Sequence, residues 1–479
     1  MQWDELIRGG LPVGVGCRKR RLVMMRVQNK ETFKRLLLWS GMIVCLFLTG
    51  CASRKAVEHY NQGVAYGEKG QWDQAIREFT KAIEINPRFA EAYYNRGLAY
   101  DNKGEHDLAI LDYTRAIEIN PTLAGAYTNR GVAFAGKSEY DLAILDCTKA
   151  IEIDPDDSKA YSNRGAAYSA KGEHDRAISD CNKAIEIDPK SASAYVNRAG
   201  GYIGKGQHDR AILDCTKAIE INPNDAEAYG NRGSAYNAKG QYDRAISNYT
   251  KAIEINPMYA QAYSNRGVAY YYKGQYDLAI SDCTKAIEIN PKYAQAYSNR
   301  GNAYDAKGNY DAAISDYNKA IEINPKYASA YGNRGTTYFT KGQHDLAISD
   351  YNKAIEIDPE DAVAYAYRGG IYGFMRQYDQ AISDCSKAIE IDPKSALAYS
   401  NRGTTYYAKG QYDRAITDYT KAIEINSKDR EAYSNRAFAY YKKGEHDKAW
   451  EDVHKAQSLD YQVQPEFLKK LRDASGRER

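Results

Sequence analysis

Apolar and polar residues alternate along this chain with a helical rhythm that repeats every 34 residues. A first stretch in most repeats carries an aromatic residue, a glycine and another aromatic residue, as in Tyr93, Gly97 and Tyr100. At about 3.6 residues per turn, these spacings place the three residues on one helix face. A second stretch carries Ala, an aromatic residue or Cys, and Ala at i, i+4 and i+7, for example from Ala109 onward. The pattern predicts two amphipathic helices per repeat.

Ten prolines mark the period, because they lie 34 residues apart from Pro87 to Pro393 and each follows Asn or Asp. Proline ends a helix since it lacks an N–H and restricts the residue before it. Lys-Gly-x-x-Asp separates the two helices of most repeats. We expect its Gly to form the turn and its Asp, such as Asp107, to cap the second helix. Counting back from each proline gives twelve helix–turn–helix hairpins from Ala56 to Val463.

The 34-residue period, the aromatic–Gly–aromatic pattern, the paired alanines and the closing proline together resemble the tetratricopeptide repeat. The resemblance covers Ala56 to Val463 and implies an all-α fold, a right-handed superhelical solenoid whose first helices line a concave groove. A single hairpin cannot bury its apolar face, so neighbours stack and the ends need caps. Residues 464–479 follow the last hairpin, and their amphipathic stretch Pro465 to Arg472 predicts a C-terminal capping helix.

Residues 1–50 have the pattern of a secretory leader. A cationic stretch precedes thirteen mostly apolar residues, Leu36 to Leu48. This length suits a signal peptide, which needs about 7–15 apolar residues, better than a membrane span, which needs about 20. Residues 1–23 are interpreted as an extension upstream of a second start at Met24 or Met25.

The stretch Leu48 to Cys51 resembles the bacterial lipobox, in which the cysteine receives a lipid before the leader is removed. We expect residues 51–55 to be the lipid anchor and a short linker. The alternative is a cysteine that happens to close an ordinary signal peptide. In the lipoprotein rule an Asp after the cysteine retains the protein in the inner membrane, and here that residue is Ala52. We therefore expect membrane attachment through Cys51, on the periplasmic face of the outer membrane where two membranes exist.

Charge and histidine usage argue against nucleic-acid binding and catalysis. The formal net charge is +3, of which residues 1–50 contribute +6 and the remainder −3. Both signs are interspersed without a basic stripe. All seven histidines lie within repeats, mostly where other hairpins carry Tyr or Trp, so we interpret them as packing residues. We expect no enzyme activity, no metal, no cofactor, no nucleic-acid partner and no small-molecule substrate.

Five cysteines occupy the twenty-fourth place of their hairpins, where most others carry Tyr or Phe. We interpret them as small core residues and expect buried thiols without disulfides, because packed neighbouring helices lie about 8–10 Å apart. They are Cys147, Cys181, Cys215, Cys283 and Cys385.

One polar residue recurs opposite the apolar stripe of the first helix. At about 100° per residue, the sixth place lies about 200° from the glycine at the eighth place. Asn costs roughly half a kcal/mol in a helix relative to Ala, so its recurrence in eleven of twelve hairpins implies an offsetting benefit. The candidate groove residues are Asn61, Asn95, Asn129, Asn163, Asn197, Asn231, Asn265, Asn299, Asn333, Tyr367, Asn401 and Asn435.

Such a ladder of amides can bind the backbone of an extended peptide, since each amide both donates and accepts hydrogen bonds. It resembles the asparagine ladder of the O-linked N-acetylglucosamine transferase, whose repeats hold polypeptide substrates. The alternative is that these asparagines only bond the backbone of adjacent hairpins. On the first interpretation the partners are other proteins or peptides.

We therefore predict a membrane-anchored scaffold that binds extended polypeptide segments in the groove and serves envelope assembly or secretion. One alternative is a structural subunit of an outer-membrane secretion, pilus or polysaccharide-export complex. Another is a glycan-binding protein that uses groove tyrosines such as Tyr271, Tyr272, Tyr407 and Tyr441.

Two further features predict particular side-chain roles. The seventh place is Arg in every hairpin after the first, and the twenty-third is Asp in ten. Since both flank the apolar stripes, we predict partly buried Arg–Asp pairs, such as Arg300 with Asp316 or with the acid next door, that form a lattice along the solenoid.

The tenth hairpin departs from the pattern. Tyr367 replaces the ladder asparagine, and Met375-Arg376 replaces the usual Lys-Gly. Its first helix also carries three glycines, Gly369, Gly370 and Gly373. We expect this helix to be looser than its neighbours and to form a distinct contact point in the groove.

Overall fold

The computed structural model describes residues 54–476, and every helix or strand in that range is an α-helix. Cys51 and the predicted leader lie outside the described residues. Helix α1 occupies residues 54–68. The remaining helices are α2 (Trp72–Ile85), α3 (Ala90–Asn102), α4 (His106–Ile119), α5 (Ala124–Gly136), α6 (Tyr140–Ile153), α7 (Ser158–Ala170), α8 (His174–Ile187), α9 (Ala192–Gly204), α10 (His208–Ile221), α11 (Ala226–Ala238), α12 (Tyr242–Ile255), α13 (Ala260–Tyr272), α14 (Tyr276–Ile289), α15 (Ala294–Ala306), α16 (Tyr310–Ile323), α17 (Ala328–Thr340), α18 (His344–Ile357), α19 (Ala362–Phe374), α20 (Tyr378–Ile391), α21 (Ala396–Ala408), α22 (Tyr412–Ile425), α23 (Arg430–Lys442), α24 (His446–Ser458) and α25 (Pro465–Ser475).

The helices pair into the twelve predicted hairpins, with odd-numbered helices α1 to α23 as first helices and even-numbered ones as second helices. The chain divides between Pro155 and Asp156 into two compact units. Hairpins 1–3 belong to one unit, and hairpins 4–12 with α25 belong to the other. Within each unit a second helix packs both on its own first helix and on the next one, so each unit is a helical solenoid. Residues 54 and 55 are already helical, so α1 begins before Ala56 and the expected linker is shorter.

Glycine makes the turn inside the hairpin, as predicted. Gly104 has a φ of 77°, in the left-handed region that glycine adopts without a steric cost. Ser138 and Arg376 occupy the same turn with φ of 63° and 61°. At the end of the second helix the residue before proline leaves the helical region, since Asn120 has φ −130° and ψ 90°.

The predicted capping role of Asp107 is wrong. Helix α4 begins at His106, and the residue that precedes it, Glu105, makes no side-chain capping bond. Asp107 therefore lies inside the first turn, where a carboxylate favours the positive end of the helix dipole. Its Oδ1 accepts a hydrogen bond from Nζ of Lys137 in the next hairpin at 2.7 Å. The Lys-Gly-x-x-Asp pattern thus joins consecutive hairpins.

The core is built from small residues that let the helices approach closely. Ala109 and Ala116 have no exposed surface. A Cβ added to Gly97 would lie 2.8 Å from the Tyr113 ring, and one added to Gly165 would lie 2.7 Å from Sγ of Cys181. The glycine at the eighth place therefore makes room for the ring or thiol at the twenty-fourth place in most hairpins, whereas hairpins 5 and 12 carry Ala199 and Ala437 there. The five cysteines are buried thiols, as predicted.

Helix α25 closes the array, which confirms the predicted capping helix. Phe467 and Leu471 are buried against the last hairpin. The Phe467 ring stacks on Phe438 with a centroid distance of 3.8 Å. Nε1 of Trp450 donates a hydrogen bond to Oγ of Ser475 at 3.0 Å.

Candidate interaction groove

The first helices present one continuous face along each unit. Places 2, 6, 9 and 13 are separated by four, three and four residues, so their side chains lie on the same side of a helix. First helices of successive hairpins contact each other directly, for example α7 with α9 and α19 with α21. We call the surface formed by these four places the groove face.

The predicted asparagines lie on this face, one in each of eleven hairpins. Asn61 is exposed, whereas the ten asparagines from Asn95 to Asn435 are half-buried. Tyr367, the exception to the series, is 40% exposed. The partial burial means that these amides serve a role within the array in addition to any role toward a partner.

Six of the asparagines cross-link adjacent first helices through the amide nitrogen. Nδ2 of Asn299 donates a hydrogen bond to the buried hydroxyl of Ser264, at the fifth place of the preceding hairpin, at 3.0 Å. Asn401 donates instead to the backbone carbonyl of Ala366 at 3.0 Å. The others make equivalent bonds: Asn95 to Tyr60, Asn129 to Tyr94, Asn197 to Ser162 and Asn333 to Asn302. The described bonds of these six use only the nitrogen, so the amide carbonyl oxygens keep their capacity to accept a bond.

The predicted Arg–Asp lattice is present. Nε and Nη2 of Arg300 donate to the two carboxylate oxygens of Asp316 at 2.8 Å each, and Nη1 donates to Oγ1 of Thr284 in the preceding hairpin at 3.0 Å. The hydrogen bonds from Arg300 to Asp316 raise the pKa of this arginine, against burial, which lowers it. Nine other Arg–Asp pairs form within their own hairpins: Arg96–Asp112, Arg130–Asp146, Arg164–Asp180, Arg198–Asp214, Arg266–Asp282, Arg334–Asp350, Arg368–Asp384, Arg402–Asp418 and Arg436–Asp452.

The sequence interpretation missed a second partner of these arginines. The guanidinium carbon of Arg300 lies 5.7 Å from the Tyr297 ring centroid and 6.0 Å from that of Tyr304. The tyrosines at places 4 and 11 are therefore mostly half-buried rather than fully buried in the core, because their rings flank the arginine. The signal in the sequence was their spacing of three and four residues from Arg.

The tenth hairpin opens a pocket in the groove face. A cavity of about 380 Å³ lies between α17, α19 and α21. Gly369 occupies the usual core glycine place, where an added Cβ would meet Sγ of Cys385 at 2.7 Å. The two additional glycines, Gly370 and Gly373, line the cavity together with Tyr367 and Phe374. The distinct contact point predicted at Tyr367 thus coincides with a pocket.

The histidines pair with a carboxylate of their own hairpin or pack against side chains of the same or the next hairpin. Nδ1 of His106 lies 2.7 Å from Oδ1 of Asp101, and Nδ1 of His59 lies 2.6 Å from Oε2 of Glu78. The His344 ring packs against Phe374 at a centroid distance of 5.0 Å. Residues 54–476 contain no group of three or more His, Cys, Asp or Glu side chains placed to hold a metal ion. In the same range no helix combines the length and apolarity that crossing a membrane requires.

Fold and groove together define a stacked helical-hairpin scaffold. Family models for the tetratricopeptide repeat match residues 90–123, 124–157, 158–191, 192–225, 215–247, 260–293, 294–327, 328–361, 362–395 and 385–417, and a model described as TPR repeat matches 63–104, 233–274 and 403–444. The chain belongs to the tetratricopeptide repeat family, and such repeats form protein-interaction scaffolds.

Comparison with solved structures agrees on the fold. The crystal structure of the APC/C hetero-tetramer Cut9-Hcn1 superposes with a TM-score of 0.54 at 15% sequence identity, over 87% of this chain and 96% of that chain. No curated protein matches the sequence.

Proposed function

We propose that this protein is a membrane-anchored scaffold that holds extended polypeptide segments along the groove face, in the service of envelope assembly or secretion. The observation that carries the proposal is the row of half-buried amides, which bond the preceding helix through nitrogen and keep carbonyl oxygens for a ligand. An extended chain advances about 3.3 Å per residue, and packed helices lie about 8–10 Å apart. Within a unit, one amide therefore meets about every third residue of a bound segment.

Site-specific photocrosslinking in cells tests the groove. A photoreactive residue at Gln261 or Gln295, both exposed at the second place of first helices, should capture client proteins. The same residue at Ser281, on the exposed face of second helix α14, is the matched control. We expect at least about tenfold more crosslinked client at the groove positions. Equal capture at Ser281 would contradict a groove-specific scaffold.

The anchoring part of the proposal rests on the lipobox resemblance at Leu48 to Cys51. A lipid there would hold the first hairpin close to a bilayer, because only four residues lie between Cys51 and Ala56. Fully extended, these residues reach at most ~14 Å. Replacing Cys51 by Ala should abolish uptake of labelled fatty acid and change membrane fractionation. If the native protein takes up no label and the variant still fractionates with the outer membrane, the protein is not a lipoprotein.

One observation supports a second candidate function, a structural subunit whose copies associate. On α4, Leu108 and Leu111 are exposed at 43% and 64%, and on α6, Leu142 and Leu145 are exposed at 42% and 64%. Leu213, Leu278 and Leu346 occur singly at these places in other hairpins, but only hairpins 2 and 3 carry leucine at both. Clustered exposed leucines are typical of contact surfaces.

A further inference from the structure

The pocket between α17, α19 and α21 exists because two side chains are missing from α19. Place 9 is Gly370 and place 12 is Gly373, where hairpin 11 carries Thr404 and Tyr407. A Cβ on Gly370 would lie 2.9 Å from Nδ2 of Asn401, and one on Gly373 would lie 3.1 Å from Oγ1 of Thr405. The glycines therefore allow α21 to approach α19 and leave the volume above them empty.

Aromatic and aliphatic side chains form the walls of this pocket. The Tyr367 ring stacks on Tyr351 with a centroid distance of 5.9 Å and an interplanar angle of 13°. The Phe374 ring packs edge-on against Phe339 at 5.8 Å. Phe374 and Leu397 remain 67% and 37% exposed at the pocket. Large apolar side chains left open to solvent in a concave site are typical of binding surfaces.

No charged side chain lines the pocket. The three first helices α17, α19 and α21 carry one charged residue each, the seventh-place arginine, and each is paired with its aspartate: Arg334–Asp350, Arg368–Asp384 and Arg402–Asp418. This part of the groove face is therefore uncharged over three consecutive hairpins. A charged occupant would lose its hydration without gaining a partner.

The threonine hydroxyls of the lining and the amide nitrogen of Asn401 are engaged within the protein, which leaves Oδ1 of Asn401 able to accept a bond. Oγ1 of Thr336 lies 2.7 Å from Oη of Tyr351, and Oγ1 of Thr405 donates to the carbonyl of Asn401 at 2.9 Å. Nδ2 of Asn401 donates to the carbonyl of Ala366. The pocket therefore favours an occupant that makes contacts through apolar surface. A cavity of about 150 Å³ holds benzene, so about 380 Å³ has room for an indole or a benzyl group with its flanking backbone.

We propose that this pocket receives an aromatic side chain, Trp or Phe, from an uncharged stretch of the polypeptide bound in the groove. The inference rests on the proposed scaffold function and adds the chemistry of the partner. An aromatic anchor in a concave, uncharged pocket has the character of a binding hot spot.

A fluorine-labelled peptide tests the proposal directly. The probe is acetyl-Gly-Ser-Gly-(5-fluoro-Trp)-Gly-Ser-Gly-amide, titrated with the purified full chain and followed by ¹⁹F NMR line width. We expect saturable broadening that an unlabelled Phe peptide relieves and that Ala and Lys peptides do not. Absence of binding at peptide concentrations of several millimolar would overturn the proposal. Equal competition by the Lys peptide would overturn it too.

Variants of the pocket provide the matched controls. Gly373→Tyr introduces the residue that hairpins 7, 11 and 12 carry at this place and fills the cavity, so the dissociation constant should rise at least about tenfold. Phe374→Ala removes an exposed ring without touching the core and should raise it at least about threefold. Ala135→Tyr introduces the same tyrosine at the same place of hairpin 3 and should leave binding within about twofold. Unchanged binding in Gly373→Tyr and Phe374→Ala, or equal loss in Ala135→Tyr, would refute a specific pocket.

The occupant and the scaffold function fail in different ways. If 5-fluoroindole alone binds as tightly as the peptide, the pocket selects a small aromatic molecule and the side-chain proposal is wrong. If the native protein and Gly373→Tyr capture the same amount of client in groove crosslinking, the scaffold function stands and the pocket proposal fails. If the peptide binds but groove sites capture no client in cells, the scaffold function fails instead.

Discussion

Arg232 shows what each link of the arginine lattice needs, because its hairpin carries Asn248 where ten others carry Asp. Nε of Arg232 still donates to Oδ1 of Asn248 at 2.8 Å, and Nη1 donates to Oγ1 of Thr216 at 3.2 Å. Asn248 donates its own Nδ2 to the carbonyl of Arg244 at 2.8 Å. The neutral Asn248 thus keeps the hydrogen bond to Nε that aspartate makes in other hairpins. The second charge-assisted bond of the Arg–Asp pairs is lost.

Removing one member of an Arg–Asp pair should cost much more than removing an exposed ion pair. Arg300 and Asp316 have side chains only 18% and 8% exposed. We expect Arg300→Gln or Asp316→Asn to lower the free energy of unfolding by about 2 kcal/mol, with a coupling above ~1 kcal/mol in a double-mutant cycle. Lys319 and Glu322, an exposed pair on the same helix α16, should couple far more weakly. Equal coupling for the two pairs would reject a structural lattice.

Because of the buried thiols, the free energy of unfolding should fall at alkaline pH. Burial raises the pKa of Cys181, Cys215, Cys283 and Cys385 to about 12. Unfolded thiols ionise near ~8.5, so between ~8.5 and about 12 the unfolded state binds fewer protons and stability falls as pH rises. Each thiol contributes up to ~1.4 kcal/mol per pH unit in that window.

Urea unfolding at pH 8 and pH 10 measures this loss, and Cys283→Ala should make the decline shallower by one thiol's contribution. Iodoacetamide should modify these thiols in urea and leave them intact in the native protein at pH 8. Native modification as fast as in urea would show that the thiols are accessible.

The turn between the two helices of the tenth hairpin lacks the glycine and the lysine that stabilise this turn in other hairpins. Arg376 adopts a φ of 61°, where Gly342 and Gly410 of the neighbouring hairpins have 74°. Met375 also replaces the lysine that elsewhere bonds the aspartate of the preceding hairpin, as Lys409 bonds Asp379 at 2.8 Å. Strain and a missing ion pair therefore lie beside the pocket.

Replacing Arg376 by Gly should stabilise the tenth hairpin by about 1 kcal/mol, because glycine adopts the left-handed region without strain. Amide hydrogen exchange of α19 and α20 should slow, and the thermal midpoint should rise. Gly342→Arg makes the reverse change one hairpin earlier and should destabilise by a similar amount. An unchanged exchange rate in Arg376→Gly would mean that the turn does not limit the stability of this hairpin.

Within the first unit, α4 and α6 each expose two leucines, which is the observation behind the structural-subunit candidate. Asp107 precedes the α4 leucines, and Arg115 follows them, paired with Glu118. On α6, Lys149 and Glu152 repeat the arrangement. Charges of both signs border the leucines, so no single-sign field opposes the association of two copies.

If copies of the chain associate through the exposed leucines of α4 and α6, association should rise with protein concentration and weaken when these leucines are replaced. The double variant Leu111→Ser, Leu145→Ser places the serine found in most other hairpins at both sites. We expect it to raise the dimer dissociation constant at least about tenfold in sedimentation equilibrium. Leu213→Ser, at the same place in hairpin 5 and 70% exposed without a leucine partner at place 19, is the control and should have no effect. A native protein that stays monomeric at all concentrations would remove this support for the structural-subunit candidate.

Helix positions, the turn glycines, the capping helix and the buried thiols were determined by the sequence alone. The sequence also determined that the arginines pair with aspartates, but the choice between the aspartate of the same hairpin and that of the next one was left open. Each is set by local chemistry that repeats every 34 residues, so twelve copies of one pattern reinforce the same conclusion. The small residue at the eighth place and the side chain at the twenty-fourth pack against each other within a single hairpin. A period also identifies departures from itself, which is why Tyr367 was recognisable before its surroundings were known.

Only the tertiary structure decided where the remaining interactions go. Asp107 is a link to Lys137 rather than a cap, since its partner comes from the next hairpin. The hydroxyl of Ser264 accepts a bond from Asn299, and this contact depends on how closely two first helices pack. The pocket at Tyr367 likewise requires α17 and α21 to supply its other walls. Contacts within a hairpin follow from residue spacing, whereas contacts between hairpins depend on the stacking geometry that close packing of the whole array selects.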